Sequence, residues 1–331
     1  MPRYNYLSVG TLSAKQGFVG GVPMGGAGFF GNTYFVDYRN GSDGNVGTSR
    51  GQGSKTLTAA YADCADNNND RIIIDGDSAV VTTAMIAWTK NRIHVIGDNG
   101  PFPWMGIGNG ARVTMGVTAV AANLGIVQCT GVRNTFTGIK WDNGDTTATN
   151  LYTFLEAGEF NRHYFSEFYK GVLLTTAGTA EVLMNGDTSQ FYGCAFGDLV
   201  NERGSGSIRR PNVLLSRETV TGKVCRDGLF VDCLFRHKAA HLDVSFVYGA
   251  NATDVERSLI FVNPIFINAV LATADPADAI DFGAAQTEGD VLLVNPTGVN
   301  ISAFGGANLN IYVQGAVPTA ATTGIAVEVA A

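Results

Sequence analysis

The chain has 331 residues, a net charge of -7 and 15% charged residues, against 45% hydrophobic residues and 42 glycines. A chain of this length buries a substantial core, its apolarity excludes disorder, and its acidic balance lacks the basic footprint of a nucleic-acid binder. No apolar run is long enough for a membrane span, and low charge with abundant Gly, Thr, Asn and Val predicts a β-rich fold with tight turns. The five cysteines, Cys64, Cys129, Cys194, Cys225 and Cys233, form no CxxC pair. Their odd number predicts reduced, buried thiols in a protein folded in a cytoplasm.

The first 33 residues differ from the rest. "GFVGGVPMGGAGFFGN" (Gly17 to Asn32) mixes glycine with large apolar side chains and carries no charge. Phe18, Val22, Met24, Phe29 and Phe30 suit a solvated linker poorly, so residues 1–33 read either as an irregular arm packed on its own domain or as an anchoring arm that becomes ordered against a partner, burying those side chains there.

Residues 34–69 form an entry segment. "YFVDYRNGSDGNVGTSRGQGSKTLTAA" (Tyr34 to Ala60) is a strand and a polar loop running into a helix, with Leu57, Ala60, Tyr61 and Cys64 at helical spacing. The loop is neither a P-loop, because Ser54 separates Gly53 from Lys55, nor an EF-hand, because the DxDxDG order and terminal Glu are missing. A helix here covers the open edge of the strands C-terminal to it.

Residues 70–300 read as repeated strands. Arg71, Arg92, Arg112 and Arg133 each open a short alternating segment about 20 residues after the last, which predicts that they stack in one column. A second unit recurs as "FTGIKW" (Phe136 to Trp141), "FYGCAF" (Phe191 to Phe196), "FVDCLF" (Phe230 to Phe235) and "FVNPIF" (Phe261 to Phe266). "LVNPTG" (Leu293 to Gly298) is a weaker fifth copy. Strand, sharp corner and second strand with aromatic ends describe a solenoid whose rungs bury one apolar face on their neighbours. Residues 301–331 read as C-terminal strands and tail.

The stretch "YFVDYRNGSDGNVGTS…KTLTAAYADC…DRIIIDGD" resembles the entry segment of pectate-lyase-like right-handed parallel β-helix proteins. That resemblance implies an all-β, single-stranded parallel β-helix with a short N-terminal capping helix and a Gly-rich arm. With "YLSVGTLSAKQGFVGG" placed before the entry segment, the chain further resembles virion proteins of tailed bacteriophages, tailspikes and head spikes among them. On that resemblance, the protein is expected in the virion, assembled in the host cytoplasm. The expected partners are its own copies in a homotrimer and the major capsid protein or another virion protein, with no nucleic acid and no membrane.

Many proteins of this fold cleave polysaccharide, so acidic pairs matter. The polygalacturonase signatures, a DD pair with GHG and RIK, are absent. Asp142 and Asp145 in "WDNGDTTATN" read as turn residues bonding nearby backbone. "LEAGEFNRHYFSEFYK" (Leu155 to Lys170) mixes acids, Arg162 and His163 with aromatics. Phe160, Arg162, Tyr164, Phe168 and Tyr169 read as a contact for glycan or protein, or else as one more rung with its aromatics in the core. His237 and His241 have a zinc-ligand spacing, but Lys238 stands where a zincin has Glu, so neither metal nor cofactor is expected. The expectation is therefore a non-enzymatic virion protein that decorates or stabilises a capsid, anchored by its arm, with no catalytic residue. The alternative is a tailspike or tail fibre that binds or degrades host surface polysaccharide.

Overall fold

The computed structural model describes residues 16–19, 22–25, 31–76, 79–98, 111–116, 124–144, 151–170, 179–197, 208–209, 211–216, 225–237, 241–242, 245–251, 253–268, 278–284, 288–305, 310–314 and 325–326. Three long sheets contain 10, 9 and 7 strands among these residues. Along the body each turn of the chain contributes one strand to the first sheet, one to the second and one to the third, and strands pair in parallel with the turns before and after, while Ile325–Ala326 joins the end of the second sheet antiparallel. This is a parallel β-helix. At about 4.8 Å per strand, the first sheet extends roughly 45 Å along the solenoid axis.

The aromatic hexapeptide repeat fixes the interior. On the first sheet, Phe136, His163, Phe191, Phe230, Phe261 and Leu293 stand directly above one another. On the second, Trp141, Phe168, Phe196, Phe235 and Phe266 do the same. Rings of successive rungs lie nearly parallel, as between Phe191 and Phe230 (4.8 Å, 5°) and between Phe196 and Phe235 (4.9 Å, 7°). Each such pair adds about 0.5–1.5 kcal/mol beyond its buried area.

The third place of the hexapeptide makes the corner. Gly138, Phe165, Gly193, Asp232, Asn263 and Asn295 all have positive φ. Glycine, Asn and Asp tolerate that left-handed conformation, and Phe165 does so at a cost. Asn263 donates to Asp232 (3.0 Å) and Asn295 to Asn263 (3.3 Å), a surface ladder along this corner.

The arginine column is not observed. Arg71 pairs with His94 on the first sheet, and Arg112 lies on the second sheet opposite Lys140. Arg92 and Arg133 occupy the corner between the third and first sheets, both at positive φ. The residues between strands vary too much in number for the regular spacing of four arginines to report the rung period.

The helix Leu57–Asp63 is capped by Thr56, whose Oγ1 accepts from the Ala59 N–H at 3.1 Å. Leu57, Ala60 and Tyr61 are buried in the solenoid core, and Tyr61 stacks on Trp88 at 4.1 Å. The loop before it is self-supporting. The Asp37 carboxylate accepts from the backbone of Arg39 and Asn40, and Asp43 accepts from Thr56. In the arm, Gln16–Val19 pairs antiparallel with Val22–Gly25. Phe18, Val22 and Met24 lie on these two strands, while Phe29 and Phe30 lie outside the described residues. All five cysteines are free and buried.

Candidate functional site

Two constellations of titratable side chains distinguish the middle rungs. The first is internal. Glu156 points inward from the third sheet between Cys129 and Met184. Its Oε2 lies 2.8 Å from His163 Nε2, and its Oε1 accepts from Asn161 Nδ2 (2.7 Å) and the Gly158 N–H (3.2 Å). His163 takes the ladder place that other rungs give to Phe, stacked between Phe136 (5.1 Å) and Phe191 (4.5 Å). Both side chains of the pair are wholly shielded from solvent. The dyad has the composition of a general base, yet no substrate reaches it, so its role is to hold the rung.

The second constellation lies on the outer face of the second sheet. Alternation along Ile139–Asn143 sends Trp141 inward and turns Lys140 and Asp142 outward. On the next strand, Glu167 stands opposite Lys140 and Tyr169 opposite Asp142. Arg112 forms an ion pair with Asp142 across one strand step. Lys140 pairs with Glu167 at 3.5 Å, and Arg236, two strands further on, approaches Glu167 at 3.6 Å. The carboxylates of Asp142 and Glu167 are 5% and 11% exposed, whereas Arg112 keeps 47%. Lys140 Nζ also lies 5.5 Å from the Tyr169 ring centre. Buried Nε of Arg236 has no hydrogen-bond partner among the described residues. Arg236 brings a cation beside Glu167, and a cation on this face suits a reaction that develops negative charge on oxygen.

These positions revise several expectations. Asp142 is a strand residue on this face and not a turn residue, because the strand continues through Asn143. Asp145 lies outside the described residues. Phe168 belongs to the core ladder and makes no external contact, and Tyr169 is buried on the outer face of the second sheet beside Lys140. Arg162 and Tyr164 lie instead on the outer face of the first sheet, and Phe160 is 46% exposed at the corner before it. His237 is a buried strand residue packed on Phe246 at 4.5 Å. Among the described residues, no group of three or more His, Cys, Asp or Glu is arranged to hold a metal ion. Glu167 was legible in sequence only as one acid in a mixed stretch. Arg236 had no local signal, since 69 residues separate it from Glu167 (236 − 167).

No protein-family model and no curated protein sequence matches the chain. Among solved structures, a pectin methylesterase in complex with a hexasaccharide matches 87% of this chain and 82% of its own, at 13% identity and a TM-score of 0.50. A second pectin methylesterase complex (14% identity, 81% of this chain and 67% of its own) has a TM-score of 0.40. A GH136 lacto-N-biosidase from Eubacterium ramulus (9% identity, 79% and 56%) has a TM-score of 0.38. The parallel β-helix is thus shared with known proteins at low identity. Against the expectation of a non-enzymatic protein, the solved structure that matches at a TM-score of 0.50 is by name an enzyme, and at 13% identity what this chain shares with it is the fold.

Proposed function

We propose that the protein binds a polysaccharide and hydrolyses an ester carried by it, using the outer face of the second sheet. The observation that carries this reading is the diagonal placement of Asp142 and Glu167 on adjacent strands of one face, with Arg112 at Asp142 and with Lys140 and Arg236 at Glu167. Both carboxylates are engaged as anions by cations. Glycosidic cleavage by a carboxyl pair needs one member as a proton donor to the leaving oxygen. Ester hydrolysis needs a base or nucleophile and a stabiliser for the oxyanion, and these side chains provide that set. In the step proposed, one carboxylate takes a proton from water as the water oxygen bonds to the ester carbonyl carbon. Arg236 receives the charge on the carbonyl oxygen. Collapse then breaks the bond to the alcohol, which leaves with the proton. The fold supports this reading, since the pectin methylesterase that matches 87% of the chain is by name an esterase of a polysaccharide.

The arm "YLSVGTLSAKQGFVGG" placed before the entry segment, which resembles virion proteins of tailed bacteriophages, extends the proposal to a tailspike or tail fibre whose substrate is host surface polysaccharide. Copies of the chain in a homotrimer and a virion location belong to the same proposal. The test is release of methanol or acetate, followed by NMR, from methyl-esterified and from acetylated polysaccharide. Wild type is expected to release one of them. Asp142→Asn and Glu167→Gln should each lower the rate by about 10²-fold or more with little change in melting temperature. No release from either polymer, or undiminished release by the double variant, overturns the reading.

A further inference from the structure

The outer face of the first sheet changes character along the axis. Its column nearest the third sheet runs Arg71, His94, Thr135, Arg162, Gln190 and then becomes Leu229, Ile260, Leu292 and Tyr312. In the adjoining column Tyr164 and Tyr192 stack at 5.1 Å and 12°. The Tyr192 hydroxyl donates to Gln190 Oε1 at 3.0 Å. Arg162 is exposed between these rings and Phe160, which has Arg133 5.7 Å from its ring centre. Phe160 also holds φ 57°, a conformation that a bulky side chain adopts only at a cost, and it does so while 46% exposed. None of these side chains belongs to the core or to the carboxylate face.

We infer that Phe160, Arg162, Tyr164, Gln190 and Tyr192 form a second, non-catalytic platform for a polysaccharide strand lying parallel to the solenoid axis, one sugar per rung. The rung spacing of about 4.8 Å is close to the length of one pyranose unit in an extended chain. A polymer in this direction therefore meets the same pair of columns at each sugar. Aromatic rings offer apolar surface to the C–H faces of sugars, while the Arg162 guanidinium and the Gln190 amide present planar sets of donors to hydroxyls. The two columns contain no carboxylate over these rungs, and Arg162 there attracts an acidic sugar, while the exposed Glu159 lies at the corner beside Phe160. The apolar half of the same face lacks these donors, which confines the platform to the middle rungs.

This inference does not depend on ester hydrolysis, and the two fail separately. Binding of a β-1,4-linked hexaglucoside and of a linear hexauronate to the full chain is measured by calorimetry, with the matching trisaccharides as length controls. At least one hexasaccharide is expected to bind, about tenfold or more tighter than its trisaccharide. Tyr164→Ala with Tyr192→Ala should weaken it at least tenfold at unchanged melting temperature. Tyr164→Phe with Tyr192→Phe should retain it, and Asp142→Asn should leave it unchanged while lowering ester release. Binding of neither hexasaccharide, equal binding by the Ala pair, or loss of binding in Asp142→Asn overturns the inference.

Discussion

The rungs around residues 135–170 and those around 228–268 share a backbone but solve the interior differently. In the later rungs, Phe230 and Phe261 stack on the first sheet (4.7 Å, 8°) and Phe235 and Phe266 on the second (4.8 Å, 18°). Such a ladder asks nothing of its neighbours except volume. In the earlier rungs, His163 breaks the phenylalanine stack, and Glu156, Asn161 and Asn134 are buried beside it. There the polar groups depend on one another: Asn161 Oδ1 accepts from the Asn134 N–H at 2.8 Å, and Asn134 Oδ1 from the Ile93 N–H at 2.8 Å, while His163 Nδ1 has no hydrogen-bond partner among the described residues. A uniform apolar ladder tolerates the loss of one member's identity, whereas a buried polar network is only as stable as its least satisfied atom. Both carboxylates proposed for catalysis, Asp142 and Glu167, lie on the polar rungs.

The largest expected effect comes from breaking the internal pair. Glu156→Ala removes the acceptor for His163 Nε2, Asn161 Nδ2 and the Gly158 N–H, and should cost about 3–5 kcal/mol in urea unfolding. Glu156→Met together with His163→Phe extends the ladder of the later rungs and should recover part of that loss, since Asn161 Nδ2 keeps the Gly131 carbonyl (3.0 Å) while the Gly158 N–H loses its acceptor, at a cost of about 1–3 kcal/mol. A double variant as unstable as the single would mean that the polar rung is required by its backbone and not by its side chains.

The reverse exchange is the next largest. Phe230→His places an imidazole in the later stack with no carboxylate beside it, and should cost about 2–3 kcal/mol. Equal stability of this variant and wild type would remove the contrast between the two regions.

A smaller effect is expected at the corner. Phe165, at φ 50°, occupies the place that Gly138, Gly193, Asp232, Asn263 and Asn295 take on other rungs. Phe165→Asn should raise stability by about 0.5–1 kcal/mol, read as a shift in the urea midpoint at constant slope. A drop would show that the half-buried ring contributes more packing than its backbone strain costs.

The smallest effect is kinetic. Burial raises the thiols of Cys129 and Cys233 well above their usual range, in Cys129 with a further push from Glu156. Neither should react with a disulfide reagent in the native state at pH 8. In Glu156→Ala, Cys129 should become reactive before Cys233, as followed by peptide mass mapping. Simultaneous reaction would mean that the two regions open as one unit.

The later rungs were legible because their hexapeptides are nearly identical, and alternation with a left-handed corner at the third place leaves one choice of inward side chains. The rung from His163 to Phe168 was hidden by a single residue: with His in place of Phe, "HYFSEF" no longer looks like a copy. The Arg71 to Arg133 series misled for the opposite reason, since regular spacing arose by coincidence in a region where residues 99–110 separate two strands of one turn. Asp142 looked like a loop residue because Asn143, Gly144 and Asp145 come after it, and only parallel pairing with Thr114 and Tyr169 extends the strand through it.

By itself the sequence determined the solenoid, its aromatic interior and the helix at its entrance, because those depend on local alternation and on side-chain volume repeated many times. Only the tertiary structure decided which polar groups meet. Glu156 finds His163 across the interior, and Arg236 comes to Glu167 from two rungs away. Such contacts depend on how many residues each turn inserts before the chain returns to the sheet, and insertion lengths carry no signal in hydrophobic pattern.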